Sequence, residues 1–283
     1  MMPMLWLLPL AAQAPSPPSQ PVAVQPGVIS IKGRHETFPA IDPVDGSLWF
    51  SVYTDNFDQQ TIMRAPKSGD DWGPPAPVPF SGKSGDRAPR FSPDGRRLYF
   101  TSNRPVEGHP AGDMNIWVTE RTGSGWGEPR LVPAPVSVPN GREIHPAVTS
   151  DGTLYFGSNR AGGAGRSDIW RVTRAGTAEN LGPPINDART QPDLWISPDG
   201  RWMILVITGH PDGPGEDDFF VSEFKDGAWT APAVINAAGV NTAEYEYGPW
   251  ISPDGRYLYF TSHRSGGDAD IYRVEVKSFG MNR

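Results

Sequence analysis

The sequence predicts an all-β protein: a single five-bladed β-propeller of four-stranded antiparallel blades. Three observations lead there. Gly and Pro number 32 each in 283 residues, too many chain breakers for long helices. An Asp-Gly pair between two apolar, aromatic-rich runs recurs at Asp45-Gly46, Asp94-Gly95, Asp151-Gly152, Asp199-Gly200 and Asp254-Gly255, a period of about 50 residues typical of propellers and solenoids. The last unit stops without the outer segment that other units carry, and an unassigned strand precedes the first. That pattern fits a ring closed by the N-terminal strand as the outer strand of the last blade, which removes open sheet ends.

The elements follow in chain order. Residues 1–14 form an apolar run ending in Ala12-Gln13-Ala14, which fits the small-x-small rule of signal peptidase and predicts export to the periplasm or the exterior. The run lacks Lys and Arg and is too short to span a bilayer. Residues 15–25 (PSPPSQPVAVQ) read as an extended proline-rich linker, with the propeller over 26–283. Blades are expected near 35–80, 84–135, 141–185, 189–236 and 244–276, and the closing strand at Val24–Ile31.

Within a blade, Ser-Pro-Asp-Gly supplies the preset φ of Pro and the permissive Gly of a tight hairpin between strands a and b. Strand b is aromatic and β-branched, as in Arg97–Ser102. Strand c follows at Asn115-Ile-Trp, Asp168-Ile-Trp and Asp270-Ile-Tyr. The segments around Trp72, Trp126 and Trp229, each followed by proline, suit an outer edge strand d, where a missing N–H is tolerated.

The repeats FSPDGRRLYFTSNR (91–104), VTSDGTLYFGSNR (148–160), ISPDGRWMILVITGH (196–210) and ISPDGRYLYFTSHR (251–264), with the looser IDPVDGSLWFSVYTD (41–55), resemble the WD40-like repeats of TolB-type β-propellers of bacterial envelopes. The resemblance covers residues 35–276. It implies a non-catalytic module that binds an envelope protein, peptide or glycan on one face of the funnel, and it is specific for fold far more than for activity.

Composition narrows the partners. The net charge of −7, pI of about 5.2 and absence of any Lys/Arg run disfavour nucleic acid. No Cys is present, which removes disulfides, thiolate catalysis and Cys-ligated metals. No transmembrane segment is expected, and a monomer is. His-Glu-x-x-His, Gly-x-Ser-x-Gly and phosphate-loop patterns are missing. The tract Asp212–Asp218 has the composition of a calcium loop without its spacing and reads as a solvated acidic hairpin.

Candidate site residues sit just before strand a, where propeller loops enter the channel mouth. Glu36, Asp86, Glu143, Gln191 and Glu246 occupy equivalent positions there, and four of the five are acidic. If they converge, they form a ring suited to a divalent cation, a cationic peptide or a sugar; no other cofactor is expected. The alternative is that the position belongs to the repeat and bonds neighbouring backbone. The neighbours His35, Arg87, His145, Asp193, Tyr245 and Tyr247 differ between blades, a polar mixture that points to ligand contact. The arginines ending strand b, Arg104, Arg160 and Arg264, are expected to pair with the acids opening strand c, Asp168 and Asp270. The competing function is a glycoside hydrolase or lyase using Glu36, Asp86 and Glu143 around the channel. The propeller half of a serine peptidase is a third reading, for which the sequence holds no hydrolase elbow.

Overall fold

The computed structural model describes residues 20–123, 125–236 and 239–279; the signal-peptide expectation, 1–14, lies outside them. Five antiparallel sheets form a ring. Blade 1 runs His35–Ile41, Leu48–Tyr53, Thr61–Ala65 and Ala76–Pro77 from the channel outward. Blade 2 is Asp86–Phe91, Arg97–Ser102, Asn115–Thr122 and Arg130–Leu131. Blade 3 is Glu143–Val148, Leu154–Ser158, Asp168–Val172 and Ala178–Asn180. Blade 4 is Thr190–Ile196, Trp202–Thr208, Asp217–Lys225 and Ala233–Val234. Blade 5 is Glu246–Ile251, Tyr257–Ser262 and Asp270–Glu275, and Val22–Ala23 completes it. Each inner strand touches those of both neighbouring blades, blade 1 against blade 5 included, so the ring closes.

The closing strand lies earlier than Val24–Ile31. Val22 and Ala23 pair with Arg273 and Tyr272, and Val24 N donates to Ile271 O at 2.8 Å. The propeller therefore begins inside the segment read as linker. A dipeptide can serve as an edge strand because Val24 and Ile29 are buried between blades 5 and 1, and burial rather than ladder length holds it.

The Asp-Gly turns form as the sequence implies. In blade 2, Asp94 accepts from Ser92 Oγ (2.6 Å) and Arg96 N (3.0 Å), while Ser92 Oγ accepts from Arg97 N (2.9 Å). Gly95 closes the turn at φ 67°, a conformation an L side chain adopts only with strain. Ser197–Trp202 and Ser252–Tyr257 repeat the pattern.

Apolar cores lie between blades, one per interface. The tryptophan segments differ from a plain edge strand. Trp72, Trp126 and Trp229 pair locally in short hairpin tips, and the ladder resumes beyond the prolines at Ala76–Pro77, Arg130–Leu131 and Ala233–Val234. Each ring then reaches the preceding blade: Trp72 lies 6.0 Å from Tyr259 and Trp126 5.8 Å from Trp49, and Trp229 joins the core between blades 3 and 4. Among the described residues no helix is long and apolar enough to cross a membrane.

Candidate functional site

The four acids expected before strand a lie within it, at its first or second residue, and they do not share a site. Each is fully buried, and in three blades it faces a serine of strand b in register: Asp86 opposite Ser102, Glu143 opposite Ser158, Glu246 opposite Ser262. Asp86 accepts from Ser102 Oγ (2.6 Å), Ser81 Oγ (2.9 Å) and Arg104 Nε and Nη2 (3.1 and 3.2 Å). Glu143 accepts from Ser158 Oγ (3.1 Å), Val138 N (3.2 Å) and Arg160 (3.0 Å). Glu246 accepts from Ser262 Oγ (2.6 Å), Thr242 N (2.7 Å), Thr242 Oγ1 (2.8 Å) and Arg264 (3.4 Å). The arginines also donate to carbonyls of the crossover entering the blade, Phe80, Pro135, Val136, Gly239 and Val240. Acid, serine and arginine thus form a lock that pins each crossover to its blade.

This corrects the expected arginine partners. Arg104, Arg160 and Arg264 pair with the acids that open strand a; Asp168 instead accepts from Ala164 N, Gly165 N and Asn180 Nδ2, and Asp270 from Ser265 Oγ. The two odd blades obey the same rule. Blade 1 has Thr54 where the arginine would stand, and Arg34 pairs with Glu36 from the other side. Blade 4 has Ile207 and Gly209 in place of serine and arginine, and there the acid is the neutral Gln191, which donates to Asp187 Oδ1 at 2.9 Å. At this position a carboxylate occurs only where an arginine meets it, which offsets the desolvation of the buried charge. Burial pushes Glu36 up to about 7 against the pull of Arg34, and raises Glu143 against that of Arg160. Among the described residues no group of three or more His, Asp or Glu is placed to hold a metal.

A second repeat geometry lines the channel. Phe38, Ala88, His145 and Gly248 have φ between 53° and 67°, at bulges in the inner strands. Their amides point to the preceding blade: Phe38 N to Thr261 Oγ1 (2.9 Å), Ala88 N to Ser51 Oγ (3.1 Å), His145 N to Thr101 Oγ1 (3.0 Å). These bonds offset the cost of left-handed backbone at non-glycine residues. Blade 4 carries Val206 in place of the hydroxyl, and Asp193 takes over, accepting from Gly248 N at 2.7 Å. Asp193 also accepts from Leu194 N (2.8 Å) and lies 3.8 Å from His145 Nδ1. His145 Nδ1 stands 3.0 Å from Pro192 O, and its ring rests 4.6 Å from Phe38. Burial raises Asp193 to about 6 and holds His145 well below its ordinary value, Arg87 adding to the latter. His145 and Asp193 are therefore buried side by side at the bulges of the inner strands.

Near the starts of the inner strands the side chains that vary between blades do gather. His35 stacks on Tyr53 at 4.3 Å and accepts from Ala269 N at 2.9 Å through Nδ1, which leaves its proton on Nε2. Tyr247 lies 5.2 Å from Phe38 and reaches His263 Nε2 at 3.5 Å, and burial raises its hydroxyl well above the usual range. Tyr245 is 45% exposed beside His263. Arg87, fully buried, donates to Asp58 Oδ1 (2.9 Å) and Phe57 O (3.3 Å), and its guanidinium covers the Phe57 ring at 4.7 Å. Arg142 approaches the same Asp58 oxygen at 3.5 Å. Burial works upward on Asp58, but the two arginines outweigh it and hold its carboxyl low.

Sequence reasoning missed Phe57, Asp58 and Arg142, which lie outside the repeat motifs. The expected solvated hairpin Asp212–Asp218 is exposed at Asp212, Pro214 and Glu216 and turns inward at its end: Asp218 is buried, and burial raises its carboxyl to about 6.

No family model matches the chain and no curated protein matches it. Solved structures do. A glycoside hydrolase is 13% identical with a TM-score of 0.54, over 91% of each chain. A protein of unknown function from Dyadobacter fermentans is 15% identical with a TM-score of 0.52, over 93% of this chain and 84% of its own. A puromycin-hydrolyzing peptidase of Mycobacterium tuberculosis is 16% identical with a TM-score of 0.46 over 80% of this chain. This chain spans 34% of that peptidase's length. At such identities the first two show a shared β-propeller fold and nothing finer.

Proposed function

We propose that this protein is an exported, non-catalytic propeller of the TolB-like kind that binds a protein, peptide or glycan at the mouth around His35, Arg87, His145 and Tyr247. The observation that carries the reading is the seating of Phe57 and Asp58. A half-exposed carboxylate on two arginines, with an aromatic ring under one of them, is the pattern by which proteins grip acidic groups. The mouth therefore suits an acidic ligand with an apolar or stacking face, rather than the cation that a free carboxylate ring would have held. Glu36, Asp86 and Glu143 are buried and paired, which is unfavourable for the general acid and base of a glycosidase.

The test is titration of the purified protein with acidic and neutral peptides and with acidic and neutral oligosaccharides. Binding of acidic members, weakened about tenfold or more by Arg142→Ala at unchanged melting temperature, supports the reading. Binding indifferent to Arg142, no binding at all, or cleavage of a saccharide overturns it.

A further inference from the structure

The opposite end of the channel holds a second basic site. Arg90 points inward from strand a of blade 2, where blades 1 and 3 carry Ala40 and Ala147 and blades 4 and 5 carry Trp195 and Trp250. It is 1% exposed. Its guanidinium donates only to main-chain carbonyls: Pro39 O at 3.2 Å, Pro89 O at 3.0 Å and Pro249 O at 3.4 Å. It forms no ion pair among the described residues, and the acid that attracts it at longer range, Asp193, has its oxygens engaged by Gly248 N and Leu194 N. Arg90 Nε is buried without a protein partner, and so is Trp250 Nε1. The guanidinium carbon lies 5.6 Å from the Trp250 ring.

Both side chains line one cavity of about 110 Å³, completed by Trp195 and by turn prolines such as Pro93, Pro198 and Pro253. No Asp or Glu lines the cavity and its other side chains are uncharged, so nothing in the wall neutralises the guanidinium. Ser92 and Ser252, also in the wall, have their hydroxyls on Asp94 and Asp254. An unpaired buried guanidinium is costly, and an acceptor carrying one negative charge relieves it most. A dianion would exceed the single charge available. The volume admits a few waters or one small ion with water, not a peptide or sugar.

We infer that this cavity is a binding site for a small monovalent anion of the halide class, held by the Arg90 guanidinium and the Trp250 indole N–H. The bound ion closes the narrow end of the channel by tying blade 2 to blade 5, and so stabilises the ring independently of any ligand at the other mouth.

Thermal unfolding in sodium chloride or bromide, set against sodium gluconate at equal ionic strength, tests this. The expected result is a melting temperature that rises and saturates with halide but not with gluconate. Trp250→Phe keeps the ring and deletes the donor, and should raise the halide midpoint roughly tenfold; Arg90→Met should abolish the halide response. Should Arg90→Met fail to fold, the Trp250→Phe shift and an anomalous bromide peak against Arg90 in crystals carry the test. Equal melting curves in halide and gluconate, or bromide-grown crystals without that peak, would overturn the assignment and leave the cavity to water.

Discussion

Asp86→Asn separates a blade lock from a ligand site. The substitution keeps shape and removes charge. Asp86 accepts two bonds from Arg104, at 3.1 and 3.2 Å, and one from each of two serines. Asparagine offers one oxygen in place of two and turns an NH2 toward donors. Breaking a buried pair of this kind costs about 3–5 kcal/mol. The Arg104 side chain is 17% exposed and keeps its bond to Phe80 O, which places the loss at about 3 kcal/mol. For a chain of this size that lowers the melting temperature by roughly 6–12 °C. The double variant with Arg104→Met isolates the pair, and a coupling energy of about 1.5–3 kcal/mol is expected from the cycle.

The reciprocal change sharpens the test. Gln191→Glu places a charge where blade 4 offers Ile207 and Gly209 instead of serine and arginine, next to Asp187. It should destabilise as well, through an unmatched buried charge. A free acidic ring predicts the reverse for Asp86→Asn, because removing one of several repelling carboxylates relieves strain. Thermal and urea unfolding followed by circular dichroism decides between them. An Asp86→Asn cost below about 0.5 kcal/mol with no coupling to Arg104 would refute the lock.

Three further expectations follow from the same geometry. Deleting residues 20–25 removes the ladder bonds to Ile271, Tyr272 and Arg273 and the buried Val24, and should cost roughly 3–5 kcal/mol in urea unfolding; an unchanged midpoint refutes closure through this strand. Asp193, raised from 3.8 to about 6 by burial, binds its proton more tightly folded than unfolded, so its contribution is fully present below 3.8 and lost as pH rises through about 6. His145, held low by burial, works oppositely: its contribution is present above about 6.5 and lost as pH falls below that value. Stability profiles should therefore steepen in opposite directions in Asp193→Asn and His145→Gln, and parallel profiles count against both assignments. Trp126→Ala, which removes the ring lying on Trp49 and under Arg121, should lower stability by about 2–4 kcal/mol.

The propeller was legible because its determinants are local and repeated. Each Ser-Pro-Asp-Gly carries its own turn chemistry, and a period of about 50 residues reports the blade count directly. The closing strand was misplaced by a few residues because Val22–Ala23 is too short to show period-2 alternation, and only burial against blade 1 defines it. The acidic positions were visible, but their roles were not. A carboxylate before strand a looks the same in sequence whether its partner is a ligand or Arg104, eighteen residues on. The signal that decides lay in comparison between blades: where the acid becomes Gln191, the serine and arginine are absent too. Phe57, Asp58 and Arg142 carry no repeat signature, and only folding brings Asp58 to Arg142 across 84 positions.

A chain of similar blades sorts its residues by what they share. Groups common to the blades are engaged by the fold: the turn aspartates by serine and backbone amides, the inner acids by arginine, the tryptophans by the preceding blade. A ligand site needs donors and charges that the repeat leaves unsatisfied, so it must be built from departures. Two such departures stand on one inner strand, Arg87 toward one mouth and Arg90 toward the other, and both are buried with an Nε that has no protein partner. Near both lie the buried His145 and Asp193, 3.8 Å apart. Arg87 lies among aromatic rings and is already engaged by the chain's own Asp58; Arg90 lines a small, proline-walled cavity. Because strand a of blade 2 carries both arginines, Asp86→Asn, which loosens the start of that strand, should weaken acidic-ligand binding and the halide-induced rise in melting temperature together, whereas Gln191→Glu in blade 4 should spare acidic-ligand binding.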